Sequence, residues 1–130
     1  GAKDPKLKKG DVRAWLGLNT LGLALVFVDE AFFTQEENLA IGEGALLLCS
    51  VRVYSADYDP AYAAYTGPLP LGVQFSMSPS DLAAKFGKPE WANARLQLER
   101  WTIDGVWYTA KYNETLDRIL TFLMAIPDPQ

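Results

Sequence analysis

The chain has 130 residues, 49% of them hydrophobic and 12% aromatic, with one cysteine and no histidine. That length and apolar content describe one folded domain with a core of its own, not a disordered chain. The net charge is −4, but residues 1–13 hold five basic and two acidic side chains, a balance of +3, so the rest carries −7. An acidic body disfavours nonspecific nucleic-acid binding and steers basic partners towards it.

Residues 1–12 are charged and interrupted by Pro5 and Gly10, and read as a flexible N-terminal lead-in to a single domain over 13–130. Trp15–Leu18 and Leu21–Val28 flank Asn19-Thr20, a turn between two antiparallel strands. The second is apolar on both parities, the pattern of a central strand covered on both faces. Residues 29–44 are acidic and irregular. A third strand follows over 45–54, with Ala45, Leu47, Cys49, Val51 and Val53 on one apolar face and Ser50, Arg52 and Tyr54 on the other.

Asp59-Pro60 signals a cap and first turn, and Tyr58, Tyr62 and Tyr65 fall at helical spacing, so the pattern predicts one or two helical turns before the extended Pro68-Leu-Pro70. The clearest signal comes next. Ser78 as N-cap, Pro79 at the first helical position, Asp81 three residues after the cap and Gly87 with Pro89 beyond the end predict a helix over 79–86. Met77 staples onto Leu82, and Leu82 with Phe86 forms one narrow apolar stripe. Strands are predicted at 96–103, 106–112 and 118–126, the first two joined by the hairpin pair Asp104-Gly105 and the last two by a turn at 113–117. The apolar residues of 96–103 change parity, which predicts a bulge near Glu99-Arg100. The sum is an α+β domain: an antiparallel sheet of about six strands with one or two short helices packed on one face.

The missing histidine removes Ser-His-Asp and Cys-His nucleophile systems and almost every zinc-hydrolase site. Cys49 lies on an apolar strand face, where a free cysteine acts as a small hydrophobe. Gly42-Glu-Gly44 is too short for a dinucleotide fingerprint. No catalytic, cofactor-binding or metal-binding set is therefore expected, and no cofactor. Carboxylates are the remaining acid–base groups; Asp57 and Asp59 beside Tyr58, with Tyr62, define the alternative of a histidine-free carboxylate or tyrosine enzyme. The aromatics serve either cross-strand packing or a contact surface. Trp107 points opposite the apolar face of Val106, Tyr108 and Ala110. Tyr58, Tyr62, Tyr65 and Trp107, with the acids Glu36, Glu37, Asp57 and Asp59, make up the candidate partner-contact surface.

Phe75-Ser-Met-Ser-Pro-Ser-Asp-Leu82, Phe86-Gly-Lys-Pro89, Trp101 and the 104–105 hairpin resemble the repeat of β-lactamase-inhibitor-protein-like domains and a box in small outer-membrane lipoprotein assembly factors. The resemblance covers about residues 72–126 and implies a helix-plus-meander unit. Unlike a lipidated protein, the chain has its cysteine at an internal position and no visible lipobox. The pattern Tyr54-Ser, Tyr62-x-x-Tyr65-x-Gly-x-Leu-Pro70-x-Gly-x-x-Phe75 is also similar to small bacterial proteins that are immunity-like. That likeness spans about residues 18–126. It implies a non-catalytic inhibitor of a protein partner, which the acidic body suggests is basic; an envelope assembly or scaffolding role is the alternative. No membrane span and no nucleic-acid partner are expected. The cytoplasm is the default compartment, and a leader removed upstream of Ala2 would place the chain in the periplasm or envelope. Oligomeric state leaves no mark on the sequence.

Overall fold

The computed structural model describes residues 13–29 and 46–127, so the lead-in expected at 1–12, the glycine bend at 42–44 and the acids Glu36 and Glu37 lie outside the described residues. Seven strands form one antiparallel sheet: β1 Arg13–Leu18, β2 Leu23–Asp29, β3 Leu46–Tyr54, β4 Trp91–Asn93, β5 Leu98–Ile103, β6 Val106–Tyr112 and β7 Ile119–Ala125. Their order is β1-β2-β3-β7-β6-β5-β4. A single α-helix among the described residues, α1 Pro79–Phe86, sits in the connection from β3 to β4, with short 3-10 turns at Asn19–Leu21 and Pro70–Gly72. The fold is α+β, with seven strands instead of about six. The added strand is β4, three residues long and paired to β5 from Trp91↔Arg100 to Asn93↔Leu98.

Local chemistry explains the turns. The β1–β2 hairpin closes through the 3-10 turn and Gly22, whose φ of +71° is left-handed. A Cβ at Gly22 would lie 2.3 Å from the Ala63 carbonyl oxygen, so the residue also admits a close crossing of backbone. That crossing is held by Ala63 N donating to Asn19 O (2.8 Å) and Tyr65 N donating to Tyr54 O (2.9 Å). Asp104 (φ +52°) and Gly105 (φ +79°) both take positive φ, the geometry of the tightest hairpin turn that suits strand twist.

The helix forms as its residues dictate. Ser78 Oγ accepts from Asp81 N, and the Asp81 carboxylate accepts from Ser78 N (2.8 Å), a reciprocal cap that satisfies two orphan donors. Leu82 is fully buried in a cluster with Val53, Val73, Trp101, Ala110, Tyr112, Ile119 and Phe122, with Met77 and Phe86 against its edge. Burying that side chain stabilises the helix–sheet contact by about 1.5–3 kcal/mol. At the other end the Trp101 indole Nε1 donates to Gly87 O (3.0 Å), and its ring centroid lies 5.6 Å from that of Phe86. The helix is therefore tied to β5 at its C-terminal stop as well as along its stripe.

Three expectations are corrected. No helix forms after Asp59; its Oδ1 accepts from Ala61 N (2.8 Å) and its carbonyl from Tyr62 N (3.0 Å), giving a turn whose chain then returns to Tyr54 on the sheet. No bulge occurs at Glu99-Arg100, because β5 pairs β6 in unbroken register from Leu98↔Lys111 to Ile103↔Val106. The parity change arises because Leu96 lies in the turn before β5, while Leu98 and Trp101 occupy opposite faces; the irregularities fall at Val26/Phe27 and Lys111/Tyr112. β2 is covered on both faces only in part: on the side away from α1 Ala24 is buried, while Val26 is half-buried beside a groove.

Two stability predictions follow from this core. Leu82→Ala should lower stability by about 2–5 kcal/mol, read as a lower urea midpoint at unchanged slope. Burial pushes the Tyr112 phenol far above the ordinary tyrosine range, aided by its 2.8 Å hydrogen bond to Glu99 Oε1. The unfolded chain ionises its tyrosines near about pH 10, so the stabilisation is complete below that pH and is lost as pH rises beyond it. The urea midpoint should fall more steeply above that pH for the wild type than for Tyr112→Phe.

Candidate contact surface

Residues of one parity in each strand face α1, and those of the other parity face away from it. Val53, Phe122, Ala110 and Trp101 belong to the first set. The second set forms cross-strand rows fixed by the register. Arg52 stands opposite Leu123, Leu123 opposite Thr109, Thr109 opposite Arg100, and Arg100 opposite Trp91. A neighbouring row runs Tyr54, Thr121, Lys111, Leu98 and Asn93, and a third runs Ser50, Ala125, Trp107 and Thr102. Among the described residues no helix packs on this face.

The rows enclose an open groove of about 380 Å³ lined by Arg52, Tyr58, Trp91, Leu96, Leu98, Thr109, Lys111, Thr121 and Leu123. Thr109 and Thr121 supply hydroxyls, Leu98 and Leu123 apolar surface, and Tyr58 one aromatic wall. Beside it, Arg100 is stacked between two indoles, its guanidinium carbon 4.3 Å from the Trp107 ring centroid and 5.4 Å from that of Trp91. Arg100 Nε lies 3.3 Å from Glu90 Oε1 but makes no aligned hydrogen bond, so the pair is a Coulombic contact. Thr102 Oγ1 donates to the same Glu90 oxygen at 2.5 Å. The charge of Arg100 is thus matched within the chain.

Two other cations of the face differ. Lys111 Nζ donates to Leu96 O (3.0 Å), and Arg52 is exposed. Among the described residues neither has a carboxylate partner, the ion pairs there being Arg100 with Glu90 and Arg118 with Asp57. The groove lining contains no acid. It brings positive charge, hydroxyls and flat or branched apolar surface together in one open groove.

The residues singled out from sequence divide accordingly. Trp107 lies on the uncovered face, as its parity required, and Tyr58 lines the groove. Tyr62 is stacked on Tyr54 with centroids 4.1 Å apart, and Tyr58 lies 5.0 Å from the same ring, forming a tyrosine cluster at the end of β3. Burial against this cluster raises the Tyr54 phenol above its ordinary range, with Tyr62 adding to the shift and Arg52 opposing it. Tyr65 packs against the core on the helix side, its hydroxyl donating to Pro68 O (3.3 Å). Asp57 Oδ2 pairs with Arg118 Nη1 at 2.8 Å, while Asp59 holds its own turn, so the two acids do not converge. Arg52, Trp91, Leu98, Arg100, Lys111 and Leu123 were not selected from sequence. Arg52 was already legible as pointing away from the apolar face of its strand; the others needed the register of β4 through β7.

The chain matches no family model, no curated protein and no solved structure. Among the described residues no helix is long and apolar enough to cross a membrane.

Arg100→Ala should cost about 1–2 kcal/mol of stability, since it removes two cation–π contacts worth about 0.5–1 kcal/mol each. It should also alter tryptophan fluorescence, because Trp91 and Trp107 lose the group between them. A shift in fluorescence without a comparable stability loss would show that the stack does not brace the sheet.

Proposed function

We propose that this chain is a non-catalytic protein-binding module, an immunity-like inhibitor of a bacterial protein, and that the uncovered sheet face is its contact surface. The observation that carries the reading is the three cross-strand rows. They place Trp107, Trp91, Leu98, Leu123, Arg52 and Lys111 on one side of a sheet whose other side carries α1 and the core cluster. Aromatic and arginine side chains on a preformed strand surface are the residue types that dominate protein interfaces. The capped helix leading into an antiparallel meander at 79–125 supports the resemblance to inhibitor-type domains. Asp57 and Asp59, turned to Arg118 and to a backbone amide, weigh against the carboxylate enzyme. The net acidity favours a basic partner at long range, whereas the charges lining the groove itself are positive.

The test is capture with the full chain as bait, followed by titration of the recovered protein against wild type and Trp91→Ala/Trp107→Ala. One discrete partner, at least about tenfold weaker for the double variant at an unchanged melting temperature, is the expected outcome. Equal affinity for both baits would remove the sheet face from the interaction. Recovery of no discrete protein would remove the binding reading itself.

A further inference from the structure

Resting on the reading of the uncovered face as a contact surface, we infer that the partner meets the groove with an extended acidic segment. Its carboxylates pair with Arg52 and Lys111, and an apolar side chain between them lies on Leu123 of the intervening strand β7.

The argument begins with unequal treatment of three cations. Arg100 is stacked, half-buried and next to Glu90, so its charge is already accounted for. Among the described residues Arg52 has no carboxylate within ion-pair distance, and Lys111 Nζ donates to the Leu96 carbonyl. A partner that closes over the groove removes water from both charges. A neutral or basic partner would leave them desolvated and unmatched, which is costly. Carboxylates offset that loss and fix the register of the complex.

Spacing then selects an extended chain. Arg52 on β3 and Lys111 on β6 are two strands apart and two residues offset along the sheet. At strand spacings that places their Cα atoms roughly 12 Å apart. An extended peptide separates residues i and i+4 by roughly 13 Å, with i+2 on the same side between them. Two carboxylates at i and i+4 therefore reach the two cations, and the residue at i+2 faces β7 between Leu123 and Thr121. The net acidity of the chain does not oppose this arrangement, because none of the acids in the described part lines the groove.

The experiment titrates the full, isotope-labelled chain with acetyl-Glu-Ser-Leu-Ser-Glu-amide and with its Lys-for-Glu and Gln-for-Glu analogues, following backbone amide and indole resonances. Inorganic phosphate and a single-stranded thymidine oligonucleotide are titrated in parallel. The glutamate peptide should perturb Arg52, Trp91, Leu98, Lys111 and Leu123, bind tighter than both analogues, and weaken as salt rises. In Arg52→Glu/Lys111→Glu its affinity should drop at least about tenfold and the lysine peptide should become the better ligand. Both positions are solvent-accessible, and a melting temperature close to wild type confirms that the variant is folded. Preference of the wild type for the lysine peptide at the same residues would overturn the acidic segment while keeping the face as a contact surface. Tighter binding of the oligonucleotide, or phosphate binding equal to the peptide, would replace the acidic segment with a nucleic acid or a simple anion. If no peptide moves a resonance on the face, the acidic segment falls. Capture that still depends on Trp91 and Trp107 would then leave the binding function standing.

Discussion

The chain leaves the sheet from an interior strand, at Tyr54 on β3, and re-enters it at the far edge, at Trp91 on β4. Everything else in the molecule follows from where that crossing runs. Its one helix has eight residues and spans roughly 12 Å. It lies on one face only, fixed by Leu82 in the core and by the Trp101 indole at Gly87. Val73, Phe75 and Met77 pack beside it, and Ile119 N donates to Phe75 O at 2.8 Å, so the connection itself supplies part of the core. This crossing packs against β3, β7, β6 and β5 from one side.

The opposite side is composed accordingly. It mixes threonines, a serine and cations with Leu98, Leu123 and two tryptophans, a surface compatible with water yet rich in groups that bind. The tyrosine cluster around Tyr54 closes one end of it, where the turn at Asp59 brings Tyr58 and Tyr62 back over the strand. The Arg100 stack braces the other end, and its match with Glu90 leaves the field of the groove to Arg52 and Lys111. Charge arranged so locally can oppose the sign of the whole chain, since screening confines its reach to about 10 Å.

What the sequence revealed was the chemistry that acts over a few residues. Ser78, Asp81, Gly87 and Pro89 specify α1 to the residue, and Asp104-Gly105 specifies its hairpin, because caps and two-residue turns depend only on neighbours. The Trp107 orientation was legible from strand parity. Strand order was not, because nothing local states that β7 pairs β3. β4 escaped notice because Trp91-Ala-Asn is too short to show alternation. Without β4, Arg100 had no second indole to lie on, and with Leu96 counted into β5 the parity switch resembled a bulge. The Tyr58, Tyr62 and Tyr65 spacing suggested a helix because periodicity records angles, not destinations. Two of those rings are instead gathered by Tyr54, and the third is in the core, a tertiary preference that overrides a weak local one.

The seven strands are two separate zigzags, 13–54 and 91–125, and they meet along a single seam where Ser50–Tyr54 pairs with Thr121–Ala125. Every other rung of the ladder lies within one zigzag or the other. Breaking the peptide chain in the exposed turn near Pro60 would sever none of those rungs. Continuity of the sheet therefore rests on the five residue pairs of that seam, and a change that opens it divides the sheet into a three-stranded and a four-stranded part.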